Sequence, residues 1–268
     1  MRKLSKILVC FTLIWVVISC QKVPLTGRSQ LNLIPDSQLN AMALQAYTQF
    51  LNENRPVNND QAAMVKRIGS RVQTALEQIL REQNQSSAIQ GFKWEYNLVE
   101  SKDVNAWCMP GGKVVVYTGL LPITQNEAAL AIVMGHEIAH AVARHGGERA
   151  SQQMVASGLL QAGGVVVGQN PTLVNQIVLQ AAGAGTQLGM LSHSRSQESE
   201  ADEIGLYVAA LAGYDPQESV RLWQRMANAS KGSKPPEFLS THPSESTRIS
   251  RLQKLMPKAM EYYNRSRR

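Results

Sequence analysis

His136-Glu137-Ile138-Ala139-His140 is the stretch of this 268-residue sequence whose residue types and spacing can do chemistry. At about 100° per residue, histidines four apart lie about 40° from each other on one helix face, so both rings reach one ion. Neutral imidazoles so placed are natural ligands of Zn²⁺, and the carboxylate after the first one projects beside the pair, where water on the metal would sit. Glu137 is then the general base: it takes a proton from that water and hands it to a leaving amine. One Zn²⁺ per chain, held by His136 and His140, is the expectation. A helix carrying two incidental histidines is the plain alternative.

The helix that must carry them spans Asn126 to His145, NEAALAIVMGHEIAHAVARH. Asn126 is a good N-cap, Glu127 suits the positive end of the helix, and Gly146 follows as a C-cap. Ala129, Ile132, Val133 and Ala143 share the face of the two rings, a stripe that would otherwise be core. On the same count His145 falls about 140° from His140, off the metal face, and is expected to be structural.

A tetrahedral catalytic site needs a third protein ligand and one open position. A histidine six residues after the second, with a glycine between, would mark the metzincins, but Gly146 and Ala143 occupy those places and exclude that class. A carboxylate from a second helix is the alternative, and Ser194 to Gly213, SRSQESEADEIGLYVAALAG, offers several. Glu198 and Asp202 share a face, Glu200 points roughly opposite to Glu198, and the small Ala201 lets the two helices approach closely. Glu198 can ligate the metal while Asp202 accepts a hydrogen bond from the outer nitrogen of a ligand histidine and fixes its tautomer. Glu200 and Asp202 stay next in line as ligands, and a solvated acidic face is the reading without a metal.

Upstream, helices are expected from Pro35 to Asn52 and from Asp60 to Glu82, the second with Met64, Ile68, Val72, Leu76, Ile79 and Leu80 on one side. Short extended segments follow at Phe92 to Val99, Val104 to Met109 and Lys113 to Thr118. Pro110-Gly111-Gly112 makes the last two a β-hairpin. A small sheet ahead of the His-Glu-x-x-His helix gives an α+β, mostly helical, zincin-like layout, in which an edge strand can pair with an extended peptide. Ala150 to Ser194 contains no Asp, Glu, Lys or Arg and is broken by glycines, which suggests packed short helices or a cover over the cleft rather than a membrane span.

Arg2, Lys3 and Lys6 precede the apolar run Ile7 to Ile18, a signal-peptide pattern covering residues 1–19. Val17-Ile18-Ser19-Cys20 looks like a lipobox, with Cys20 as the lipidated first residue. Residues 20–35 then read as a tether, and residues 36–268 as one catalytic domain. The formal charge of +7 loses three positive charges with the signal, leaving too little to argue for nucleic acid. Cys108 is left without a partner for a disulfide.

Four ordered runs, VNAWCMPGGKVVVYTGLL, NEAALAIVMGHEIAHAVARH, SRSQESEAD and STHPSESTRISRL, resemble the zinc metalloendopeptidase family of the CAAX prenyl proteases, HtpX, BepA and LoiP. The resemblance covers roughly residues 36 to 256, and a LoiP-like, lipid-anchored, single-domain member describes it best. It implies a gluzincin fold in which the first Glu of E-x-x-x-D, here Glu198, is the third ligand, with Asp202 as its partner. His242 lies in Ser240-Thr241-His242-Pro243, a loop ahead of a helix from Ser244 to Leu255. From the residues alone it is a turn residue or a site residue. The resemblance places this loop near the metal, where His242 either stabilises an oxyanion or fills the open zinc position and keeps the enzyme latent.

The implied activity is endopeptidase cleavage of misfolded or misassembled envelope proteins on the periplasmic side, with a lipid on Cys20 and Gln21 compatible with outer-membrane sorting. Two rivals follow. One is a chaperone or assembly factor for outer-membrane proteins with secondary or latent proteolysis, and the other is a metal-dependent hydrolase of non-peptide substrates. Oligomeric state is left open.

Overall fold

The computed structural model describes residues 20–156, 160–161, 164–165, 193–229, 237–242 and 247–268. The expected signal peptide and most of the uncharged run from 150 to 194 lie outside the described residues.

Two short strands, β1 (Cys20–Lys22) and β2 (Ser29–Leu31), form an antiparallel hairpin, so the expected tether is folded. Its turn buries Val23 completely in the main core, and the Val23 amide donates to Arg28 at 2.8 Å. Three-residue strands are too short to show a period of two, which is why the pattern escaped notice.

Helices α1 (Asp36–Glu53) and α2 (Asp60–Glu82) follow, close to their expected bounds. Asn59 caps α2, accepting from the Ala62 amide at 2.9 Å. The sheet comprises β3 (Glu95–Val99), β4 (Ala106–Met109) and β5 (Lys113–Tyr117) in the order β3-β5-β4. The expected β4–β5 hairpin is present, and β3 runs parallel to the central β5. Gly112, at φ +82°, closes the turn where a Cβ would sit 2.7 Å from the Trp94 ring. One face of the sheet carries Trp107, Met109, Val115 and Tyr117 against Tyr47 and Phe50 of α1. Val114, Val116 and Leu98 face the other way, into the main core.

After the one-turn helix α3 (Leu121–Thr124) come α4 (Glu127–Val142), the histidine-bearing helix, and α5 (His145–Ala156). The single helix expected to reach His145 therefore ends three residues early. Ala143 is the C-cap and Arg144 turns into the left-handed region at φ +56°. Asp36 holds that turn, accepting from Arg144 Nε at 2.9 Å and lying 2.7 Å from Nη2. Beyond α5, Leu160–Gln161 and Gly164–Val165 pair as β6 and β7.

The remaining helices are α6 (Arg195–Leu211), α7 (Glu218–Ala229), α8 (Glu237–Thr241) and α9 (Arg248–Ser266). Ser194 and Gln197 form a capping box that starts α6. The last helix begins at Arg248, later than the expected Ser244. α4 lies at the centre, packed on β4, α2, α6 and α7, with α6 held in turn by α9. α4 and α6 cross at two glycines: a Cβ on Gly205 would lie 2.6 Å from the His136 amide nitrogen, and one on Gly135 would lie 2.8 Å from the Gly205 carbonyl. This contact leaves no room for a Cβ on either residue, and it sets the two helices face to face. No described helix is long and apolar enough to cross a membrane.

Candidate metal centre

The start of α4 is fixed from outside. Asn126 accepts from the Ala129 amide at 2.9 Å and donates to Glu218 of α7 at 3.0 Å, while Arg225 donates to the Ile123 and Thr124 carbonyls. Further along, His136 and His140 face α6 just past the glycine crossing, and Glu198 and Asp202 face back.

His136, His140, Glu198 and His242 each offer a donor atom, and the four atoms lie within 4.8 Å of one another. The two Nε2 atoms are 3.0 Å apart. Glu198 Oε2 is 3.5 Å from that of His136, and Oε1 is 3.4 Å from that of His140. Donors held tetrahedrally at about 2.0–2.2 Å from one ion would be about 3.3–3.6 Å apart, so the spacing is that of a metal cradle slightly drawn in.

The chemistry of the donors agrees. Asp202 Oδ1 sits 3.0 Å from His136 Nδ1 and takes its proton-bearing side, which leaves the Nε2 lone pair facing inward. A ring nitrogen that meets a second ring nitrogen and a carboxylate favours a positive charge between them, a proton or a metal ion. Burial alone would push the His136 imidazole down, but its hydrogen bonds to Asp202 and Glu198 take it up to about 9, so without an ion a proton fills the inner position that a metal would take over. Burial pushes His140 well below its usual range, toward the neutral form that a ligand needs. It pushes Glu198 up, yet His242 and the two helix histidines outweigh it and keep the carboxylate ionised. The residues present therefore fit a tetrahedrally held metal ion.

Glu137 is buried beside this cluster. Burial pushes its carboxyl up, and Oε1 has no hydrogen-bond partner, lying 3.4 Å from His242 Nε2. His242 Nδ1 is 2.9 Å from Glu198 Oε1 and 3.2 Å from His136 Nε2, so this ring stands among the donors. The helix just before it, α8, is pinned by Phe238, whose ring stacks 4.4 Å from that of His242 and whose amide donates to the Val104 carbonyl at 3.0 Å. That carbonyl lies at the head of β4, the edge strand beside α4, which pairs only with β5 among the described residues.

Three residues in or against this cluster were missed or misplaced by sequence reasoning. Arg248, 1% exposed, donates to Glu198 Oε2 at 3.1 Å and to Asp202 Oδ1 at 2.6 Å, with its guanidinium 3.4 Å over the Trp223 ring. The available signal was its phase: Arg248 shares the buried stripe of α9 with Leu252 and Ala259. His193, ahead of α6, stacks 3.7 Å from His140 and is hydrogen-bonded to Arg149. His145, expected off the metal face, has Nδ1 at 2.7 Å from His140 Nδ1, because the turn at Arg144 swings it back.

A His-Glu-x-x-His helix crossed by a second helix that brings up a carboxylate, on a small three-stranded sheet, is the layout of a zincin-like metallopeptidase. Residues 70–256 match Peptidase family M48, and the chain belongs to that family. It is 38% identical over 188 residues to the mitochondrial metalloendopeptidase OMA1 of Saccharomyces cerevisiae, covering 68% of this chain and 52% of that one. Against the mitochondrial metalloendopeptidase OMA1 of Bos taurus the identity is 31%, over 89% of this chain and 46% of the relative. The β-barrel assembly-enhancing protease of Escherichia coli is 31% identical over 59% of this chain and 33% of its own length. The chain spans about half the length of the curated relatives it matches.

Proposed function

We propose that this chain is a zinc-dependent endopeptidase of the bacterial cell envelope that hydrolyses misfolded or misassembled envelope proteins. The observation that carries the catalytic part is the inward-facing donor set of His136, His140 and Glu198, at near-tetrahedral spacing, with the buried Glu137 carboxylate beside it, its Oε1 without a hydrogen bond. The three donors would hold the ion. When bound, zinc supplies Lewis acidity that polarises a peptide carbonyl and makes water acidic enough to lose a proton near neutral pH.

The side chains do the rest. Glu137 takes a proton from the attacking water and carries it to the leaving amine, a task helped by the raised affinity for protons that burial gives it. Asp202 holds His136 in the ligating tautomer, and Arg248 holds Asp202 and Glu198 together. The free side of β4 supports docking of an extended peptide by main-chain pairing. His242 lies among the donors rather than above them, which favours a latent resting state over an oxyanion role: the ring and Phe238 must move before substrate enters.

The envelope part rests on sequence, on the basic and apolar start and Cys20, and relatives named as mitochondrial leave the compartment to experiment. Fatty-acid labelling that survives Cys20→Ser would remove the lipid anchor from this reading.

The test is zinc content and casein cleavage of the full-length chain in detergent, for the wild type, Glu137→Gln, Glu198→Ala and His242→Ala. One zinc per chain in the wild type and Glu137→Gln, loss in Glu198→Ala, and no cleavage by Glu137→Gln are expected. His242→Ala should cleave faster than the wild type; slower cleavage would restore the oxyanion role. Rescue of a deletion phenotype by Glu137→Gln would favour the chaperone, and turnover of small esters without any of unfolded protein would favour the non-peptide hydrolase.

A further inference from the structure

His136 receives its support directly from a carboxylate, but among the described residues no carboxylate lies at the outer nitrogen of His140. His145 stands there instead, fully buried, with its Nδ1 at 2.7 Å from His140 Nδ1. The other nitrogen of His145 is 2.9 Å from Glu200 Oε2. Two facing ring nitrogens at that distance share one proton, so one ring donates and the other accepts.

The carboxylate decides which. Glu200 can only accept while ionised, so a neutral His145 carries its proton on Nε2 and presents a lone pair at Nδ1. His140 must then donate from its own Nδ1, which leaves the Nε2 lone pair pointing at the metal cradle. Had the proton on His145 been at Nδ1, His140 would be forced into the tautomer that cannot ligate.

Glu200 is itself held from one place. Arg28 donates from Nε to Glu200 Oε2 at 2.8 Å, and from its two terminal nitrogens to both oxygens of Glu148 at 2.7 and 2.8 Å. Thr26 donates to Glu200 Oε1, and Gln197 donates to Glu148 at 2.7 Å. Thr26 lies in the turn of the β1–β2 hairpin and Arg28 directly precedes β2, within the segment that follows Cys20. Donors from Thr26, Arg28 and His145 converge on the two carboxylate oxygens, so Glu200 stands as an acceptor on every side.

We infer that Glu200 and His145 are positioning residues that set the ligating tautomer of His140, and that Arg28 of the N-terminal hairpin locks them in place. The hairpin is thus part of the metal centre's support. The inference rests on the metallopeptidase reading above.

The test compares Zn²⁺ affinity, measured by competition with a chromophoric chelator on the full-length chain, with the Co²⁺ absorption spectrum and the thermal unfolding of the metal-free protein. Outer partners of ligand histidines typically contribute about 10–100-fold in metal affinity, and His145→Phe should weaken binding by that factor and shift the Co²⁺ bands. His145→Asn, whose side-chain oxygen can stand where Nδ1 was, should bind near wild-type strength. Arg28→Ala should fall between the two. Equal losses in the Phe and Asn variants, matched by equal falls in metal-free stability, would reduce the network to a structural tie and overturn the inference. Should His145→Phe fail to fold, Arg28→Ala decides, and unchanged affinity there sinks it. A wild type without zinc would sink the metallopeptidase reading itself. A zinc-loaded wild type beside an indifferent His145→Phe would sink this inference alone.

Discussion

Arg248 is buried where a lone guanidinium would be strongly disfavoured, and its stability depends on the two carboxylates and the aromatic face that receive it. Breaking a buried pair by removing one partner costs about 3–5 kcal/mol, so Arg248→Ala should lower unfolding free energy in urea by that order. A loss below about 1 kcal/mol, the range of surface pairs, would mean that water reaches Glu198 and Asp202. Arg28 makes a different prediction, in pH. Burial pushes Glu148 and Glu200 up, and their hydrogen bonds, including those from Arg28, outweigh it and hold both low. A depressed carboxyl adds stability that is present above the unfolded value, about 4.3, and is lost as pH falls through the folded one. The stability gap between wild type and Arg28→Ala should therefore be constant at neutral pH and narrow below about pH 4. A gap unchanged down to pH 3 would deny the ion pairs their role. Among these residues, the ligand types were legible from spacing. Arg28, His145 and Arg248 were not, because their hydrogen-bond partners come from segments 46 to 172 residues away, save for the five-residue step from His140 to His145.

At the scale of elements, the crossing of α4 and α6 decides whether the donors meet at all. Cβ atoms at Gly135 or Gly205 would press on backbone, which cannot rotate aside. Gly205→Ala should cost about 1–3 kcal/mol by overpacking and should reduce metal content as the helices part. Retention of both stability and metal would show that the helices can slide. The turn between α4 and α5 is the other decisive element. Helical periodicity ran on through Arg144, because nothing in an Ala-Arg-His run marks a break. The left-handed Arg144 is held by Asp36, which no local pattern contains.

For the molecule as a whole, the metal site ties the N-terminal hairpin, α4, α6 and α9 into one unit, so an ion bound there is linked to global stability. Ligand at about 1,000 times its Kd adds about 4.1 kcal/mol. Chelation should lower the melting temperature of the wild type and leave His140→Ala, already without metal, unmoved. An equal response in both would place the ion elsewhere. The sequence by itself picked out the His136, Glu137 and His140 trio of the candidate site, the helices on either side of it, the β4–β5 hairpin and the α+β class, since each rests on spacing within one element. It also narrowed the third ligand to a few acids on one helix. Only the tertiary structure decided that Glu198 faces the cradle while Glu200 faces His145, that His242 stands among the donors, and that the stretch after Cys20 is a clamp. Each of these depends on which distant segment packs alongside, and the packing follows from summed contacts across the core that no local period records.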